Sequence, residues 1–186
     1  MFRKVLIALL AGLLGFMPSV IHAARVTPMI VELETAGGGS VARIELANPG
    51  QNEFPVEVQM FRGVITEEGE VQLTPADEEF LLFPAQIVVP ATSQQVFRVQ
   101  YIGEPELAKS EVFYMKIRQI PLPIAADESK VQVVVNFNVL INVVPDGVSA
   151  QPFVESIETT EREGVRGIEV RVSNKGNRYF LAGTLP

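Results

Sequence analysis

The chain of 186 residues has no cysteine and no tryptophan, and its one histidine, His22, lies close to the start. Without cysteine there can be no disulfide, no thiol nucleophile and no Cys-ligated zinc. Positive charge is also scarce: 15 Lys and Arg stand against 22 Asp and Glu, a formal net charge of −7. Nucleic-acid binding needs a basic face and is therefore disfavoured. Helical periodicity is missing over any ten or more positions, and no apolar run reaches the roughly 20 residues that span a bilayer.

The first 23 residues have the parts of a secretory leader. Arg3 and Lys4 form a basic start, Val5 to Met17 is apolar, Pro18 breaks it, and Ile21-His22-Ala23 ends on a small residue. Export is expected, with residues 1–23 removed and the mature chain starting at Ala24. That segment holds two of the 15 basic residues and none of the 22 acids, so the remainder carries 13 against 22, a net charge of −9. It also holds the only histidine, which excludes a Ser-His-Asp triad from the mature protein. Paired carboxylates could still move protons. The acids, however, sit in turn-like clusters, Glu67-Glu68 and Asp77-Glu78-Glu79, where a solvated face is the default. Gly37-Gly38-Gly39 lacks the following Lys and helix of a phosphate-binding loop, so ATP is not expected. No cofactor, no metal and no enzymatic activity are called for.

What the chain does have is β pattern. Val26 to Glu34, Val41 to Leu46, Phe54 to Arg62, Phe80 to Phe83, Gln86 to Val89, Gln94 to Tyr101 and Val112 to Ile120 read as strands. Ala36 to Ser40, Asn48 to Asn52 and Pro90 to Ser93 read as turns, and Glu67 to Glu79 as a polar connection. Short strands with turns between them predict an all-β, immunoglobulin-like sandwich over residues 24–145.

The most telling segment closes that domain. From Val131 to Val144 the chain runs 14 residues with no charge, Gly or Pro. Every odd position is apolar: Val131, Val133, Val135, Phe137, Val139, Ile141 and Val143. This predicts one strand about twice the usual length. Left unpaired, it would be an aggregation hazard. Two readings compete: a long core strand of this sandwich, or a strand lent to another protein.

Residues 146–153, with Pro145 and Pro152 around small residues, read as a linker. Beyond it, Phe153 to Glu158 and Gly167 to Val172 read as strands, Asn174 to Asn177 as a turn, and Tyr179 to Leu185 as the start of a third strand. Residues 154–186 are too few to close a sandwich, so an incomplete second β-sandwich domain is expected there, poorly packed or partly disordered.

Three stretches carry a family resemblance. Glu111-Val112-Phe113-Tyr114-Met115-Lys116-Ile117-Arg118-Gln119-Ile120-Pro121 resembles the F1 strand and turn of periplasmic pilus chaperones of the chaperone–usher pathway, the PapD-like family. Phe83 to Pro90 leading into Gln95 to Val99 resembles its D1–E1 region, and Arg43 to Pro49 its B1 strand. The resemblance spans residues 25–146 well and 153–182 weakly.

It implies a periplasmic chaperone that binds pilus or fimbrial subunits and delivers them to an outer-membrane usher. In that family the G1 strand fills a groove in an incomplete subunit with alternate apolar side chains. By resemblance, the groove-filling set here is Val131, Val133, Val135 and Phe137, with Val139 next. Such a strand could also self-associate with a second copy. The family anchors the subunit's carboxylate with an Arg in its first strand and a Lys in G1. This chain departs at both places, which fall at Pro28 and near Leu140. Arg118 and Lys116 are the candidate anchors instead, since a guanidinium suits a carboxylate, and Arg25 is a third cation. The departure resembles divergent, archaic-type members; the short Pro121–Lys130 connection resembles the short-loop subgroup that builds thick pili. The alternative is a pilus subunit or another secreted structural β-sandwich. A subunit, though, would carry its donor strand at the mature N-terminus and need no second domain.

Overall fold

Alternating side chains divide most strands of residues 25–144 between a buried and a solvent face, and these faces assemble two sheets around one apolar core. The computed structural model describes residues 23–66, 69–121, 134–162 and 164–181. The leader assigned to residues 1–23 lies, apart from Ala23, outside the described residues, as do Val131, Val133, Glu67 and Glu68.

In chain order the strands are β1 (Arg25–Thr27), β2 (Ile30–Glu34), β3 (Val41–Asn48), β4 (Phe54–Ile65), β5 (Val71–Pro75) and β6 (Phe80–Phe83). Then come β7 (Gln86–Val89), β8 (Ser93–Tyr101), β9 (Glu111–Gln119), β10 (Asn136–Val144), β11 (Pro152–Arg162) and β12 (Val165–Asn174). One sheet has the order β1-β3-β8-β6. The other runs β2-β10-β9-β4-β5, with β7 also paired to β4. The sandwich expected from the strand pattern is the fold observed. Ile44 and Leu46 of β3, Phe97 and Val99 of β8, Phe113 and Met115 of β9, and Ile141 and Val143 of β10 are fully buried between the sheets.

Three details correct the sequence reading. Val26 to Glu34 is two strands, not one: β1 pairs antiparallel with β3, while β2 pairs parallel with β10 in the opposite sheet. Pro28 sits at the break, where its missing N–H interrupts a ladder and lets the chain change sheets. The polar connection conceals β5, an edge strand paired with the end of β4, whose side chains are mostly exposed and so alternate weakly. The long closing strand begins only at Asn136; Val134 and Val135 are described but outside the strand.

Polar fastenings set the ends of the sandwich. The buried Asn48 amide donates to the carbonyls of Asn52, Val89 and Pro90, and its oxygen accepts from the Gly50 N–H. Arg62 bridges Glu79 and Glu111 while lying 4.8 Å from the Phe113 ring centre. Phe113 in turn meets Phe80 edge to face at 4.9 Å, and Phe80 meets Tyr101 at 5.4 Å. Burial, helped by Glu79 and Glu111, pushes the Tyr101 phenol up to about 12. Gly63 is required by packing: a Cβ there would stand 2.6 Å from the Tyr114 ring.

Beyond this domain, β11 and β12 form an antiparallel hairpin with a bulge between Val154 and Ser156. β11 starts at Pro152, inside the segment read as a linker. Val154, Ile157, Ile168, Val170 and Val172 remain exposed on one face, as expected for an incomplete second β domain. The segment after β12 departs from the expectation of poor packing. Tyr179 is half-buried, its N–H bound to Ser110 Oγ at 2.7 Å and its hydroxyl to Glu32 at 2.8 Å. Asn177 and Arg178 add bonds to Ala108, Ser110 and Glu32. No third strand begins at Tyr179 within residues 179–181; the rest of the expected strand lies outside the described residues.

Candidate functional site

β10 is built in two halves. Leu140–Val144 lies between β2 and β9 and is an interior strand. Asn136–Val139 pairs with β9 alone, because β2 reaches no further than Leu140. Main-chain groups alternate direction along a strand. The Leu140 N–H donates to Met29 on the β2 side, whereas the Val135 carbonyl accepts from Gln119 on the β9 side. By that alternation, Asn136 and Asn138 present their N–H and C=O groups to an edge that has no strand beside it among the described residues.

The side chains change character at the same point. Val139, Ile141 and Val143 are fully buried in this sandwich's own core. Phe137, two residues earlier, is half-buried and packs against that core. Val135, on the same parity, is 37% exposed. The apolar stripe therefore leaves the core and continues into solvent. This corrects the place of Val139 in the groove-filling set: its side chain has no exposed surface to give to a partner. Phe137 and Val135 remain available in increasing degree, while Val131 and Val133 lie outside the described residues.

The two candidate anchors lie on the outer face of β9, opposite Phe113, Met115 and Ile117, as their parity requires. Register places Arg118 between Glu57 and Asn136, and Lys116 between Gln59 and Asn138. These residues and Phe61 line a shallow depression of about 280 Å³ beside the open half of β10. Arg118 is already held by Glu57, with Nε 2.6 Å from the carboxylate. Lys116 lies 4.6 Å from the Phe61 ring centre. An anchoring role would need Arg118 to exchange Glu57 for another carboxylate, a change of small cost for an exposed pair. Leu140 lies beside Ile30, so the positions of the departed anchor pair carry no cation. Arg25 stands on β1, in the other sheet.

The open edge on the β2 side was missed in the sequence. Its signal is Pro28: by ending β1 and delaying β2 until Ile30, it fixes where the parallel partner of β10 stops.

Solved structures share this fold at low identity. The class 5 fimbriae chaperone CfaA aligns at a TM-score of 0.60 with 13% identity, over 83% of this chain and 68% of that one. The chaperone–tip adhesion subunit pre-assembly complex CsuC–CsuE, from archaic chaperone–usher Csu pili of Acinetobacter baumannii, gives 0.60 at 13%, over 83% and 73%. The Salmonella enterica SafA pilin in complex with the SafB chaperone gives 0.53 at 14%, over 81% and 69%. No curated protein sequence matches the chain. The family model for the PapD N-terminal domain of pili and flagellar-assembly chaperones matches residues 26–149, the whole sandwich with β10 included, and the chain belongs to that family.

Proposed function

We propose that this protein is a periplasmic chaperone that holds pilus subunits by lending them the open half of β10, and that it then hands them to an outer-membrane usher. The observation that carries the reading is the division of β10: one half locked in its own core, the other an apolar, one-sided edge. A partner strand aligned with Asn136–Val139 would satisfy the free main-chain groups of Asn136 and Asn138. Val135 and Phe137 would meanwhile enter an apolar groove, each worth about 1.5–3 kcal/mol when fully buried. Val131 and Val133 extend the same parity and complete the proposed set. No chemistry is required of the chaperone, since strand pairing and burial supply the binding energy.

Co-expression with a pilus subunit tests this. A soluble one-to-one complex, lost on Val135→Asp while the free chaperone keeps its melting temperature, is the expected result. Incorporation of the protein into polymers would instead make it a subunit.

A further inference from the structure

We propose that the outer face of the β1-β3-β8-β6 sheet docks an acidic peptide segment of a partner protein. Arg43 on β3 lies directly opposite Arg98 on β8, and both are exposed. Like charges facing each other across an antiparallel pair weaken a sheet. Among the described residues, neither guanidinium has a carboxylate within ion-pair distance; Glu45, two positions along β3, is the acid sharing their face. The next strand adds apolar surface. Phe83 stands opposite Arg98 and is 73% exposed, Leu81 stands opposite Gln100, and Val96 follows on the same face. Arg25 and Thr27 border the patch on β1, beside a groove lined by Arg25, Thr27, Arg43, Glu45 and Val96.

Charge selects the occupant. The molecule carries an excess of seven acidic over basic residues, yet this face gathers three arginines around exposed aliphatic and aromatic side chains. A local patch of opposite sign attracts acidic segments, while the net negative charge of the whole molecule opposes the approach of a second copy. Two guanidiniums side by side match a carboxylate or a pair of them, and Phe83 and Val96 offer contact to the apolar neighbours of those acids. β10 belongs to the other sheet, so this face stays open whatever β10 holds. The inference does not depend on strand lending.

The test uses the full mature chain and two labelled synthetic peptides: one of alternating Glu and Phe or Leu, the other its Gln isostere. Binding is read by fluorescence anisotropy at low ionic strength. The acidic peptide should bind about tenfold or more tightly than the isostere and weaken with added salt. Arg43→Gln with Arg98→Gln should remove that preference at an unchanged melting temperature. Phe83→Ser should weaken binding of both peptides, and Val135→Asp should leave both unaffected. Equal binding of the two peptides overturns the proposal. So do arginine-dependent dimerisation without peptide binding, and binding confined to anionic phospholipid vesicles.

Discussion

Arg178 donates from one terminal nitrogen to both carboxylate oxygens of Glu32, at 2.8 Å each, and so ties the segment after β12 to β2 of the first domain. Tyr179 adds its hydroxyl to the same carboxylate, and burial together with that bond raises its phenol above the ordinary tyrosine range. Opposite Glu32 in the ladder, the buried Asn142 amide nitrogen has no hydrogen-bond partner among the described residues.

Because Arg178 and Glu32 are both partly exposed, their pair is worth at most about 1 kcal/mol. Arg178→Ala should therefore hardly move the melting of the sandwich. It should, however, free the hairpin. Limited proteolysis should then cut faster near Gly147, releasing a core of about residues 24–146. An unchanged cleavage rate would mean that Ser110 and Ala108 suffice to hold the segment.

Parity along β10 separates two mutants of identical chemistry. Val139→Asp places a charge in the closed core, at a cost of several kcal/mol, and should leave little folded protein. Val135→Asp exposes the same group to water and should fold with native circular dichroism. If both unfold, Val135 packs into the domain, and Val134 and Leu140 become the binding candidates.

Asn48→Ala should cost about 1–3 kcal/mol in urea denaturation, because it strands the buried Val89 carbonyl and the partly buried Gly50 N–H and removes the tie to the Pro90 carbonyl. A loss below about 0.5 kcal/mol would show that water replaces the amide there.

Tyr101 sets an alkaline limit. Its phenol is protonated in both states below pH 10, so its contribution is constant there. Between the ordinary value of 10.0 and the folded value of about 12, the unfolded chain releases the proton first, and stability falls as pH rises. Tyr101→Phe should flatten this part of the stability profile measured from pH 9 to 12. An identical slope in the variant would assign the alkaline loss to other groups.

The strands that alternate over a buried face, β3, β8 and β9, were legible because Ile44, Phe97 and Phe113 each belong to an inward apolar row, with Arg43 and Glu45, Arg98 and Gln100, and Lys116 and Arg118 on the opposite parity. β5 was hidden, since an edge strand with both faces near water needs no alternation. The parity of the apolar stripe was readable, but not the point where it leaves its own core. That point depends on where β2 ends, a pairing between residues far apart in sequence. Arg118 and Lys116 were placed on the correct face, whereas Glu57 and Phe61, which occupy them, come from β4 and left no mark near them.

A strand that is half anchored and half open is also a gauge. Val139, Ile141 and Val143 cannot shift by one position without turning every one of them out of the core and bringing Leu140 and Asn142 in. That fixes the phase of the free half as well: Val135 and Phe137 always point the same way. Any strand that pairs with the open edge thus meets a preset template, and a partner in the wrong phase meets Asn136 and Asn138 where it needs apolar side chains. Fidelity of alignment would then reside in the chaperone's own core and not in the side chains that the partner touches.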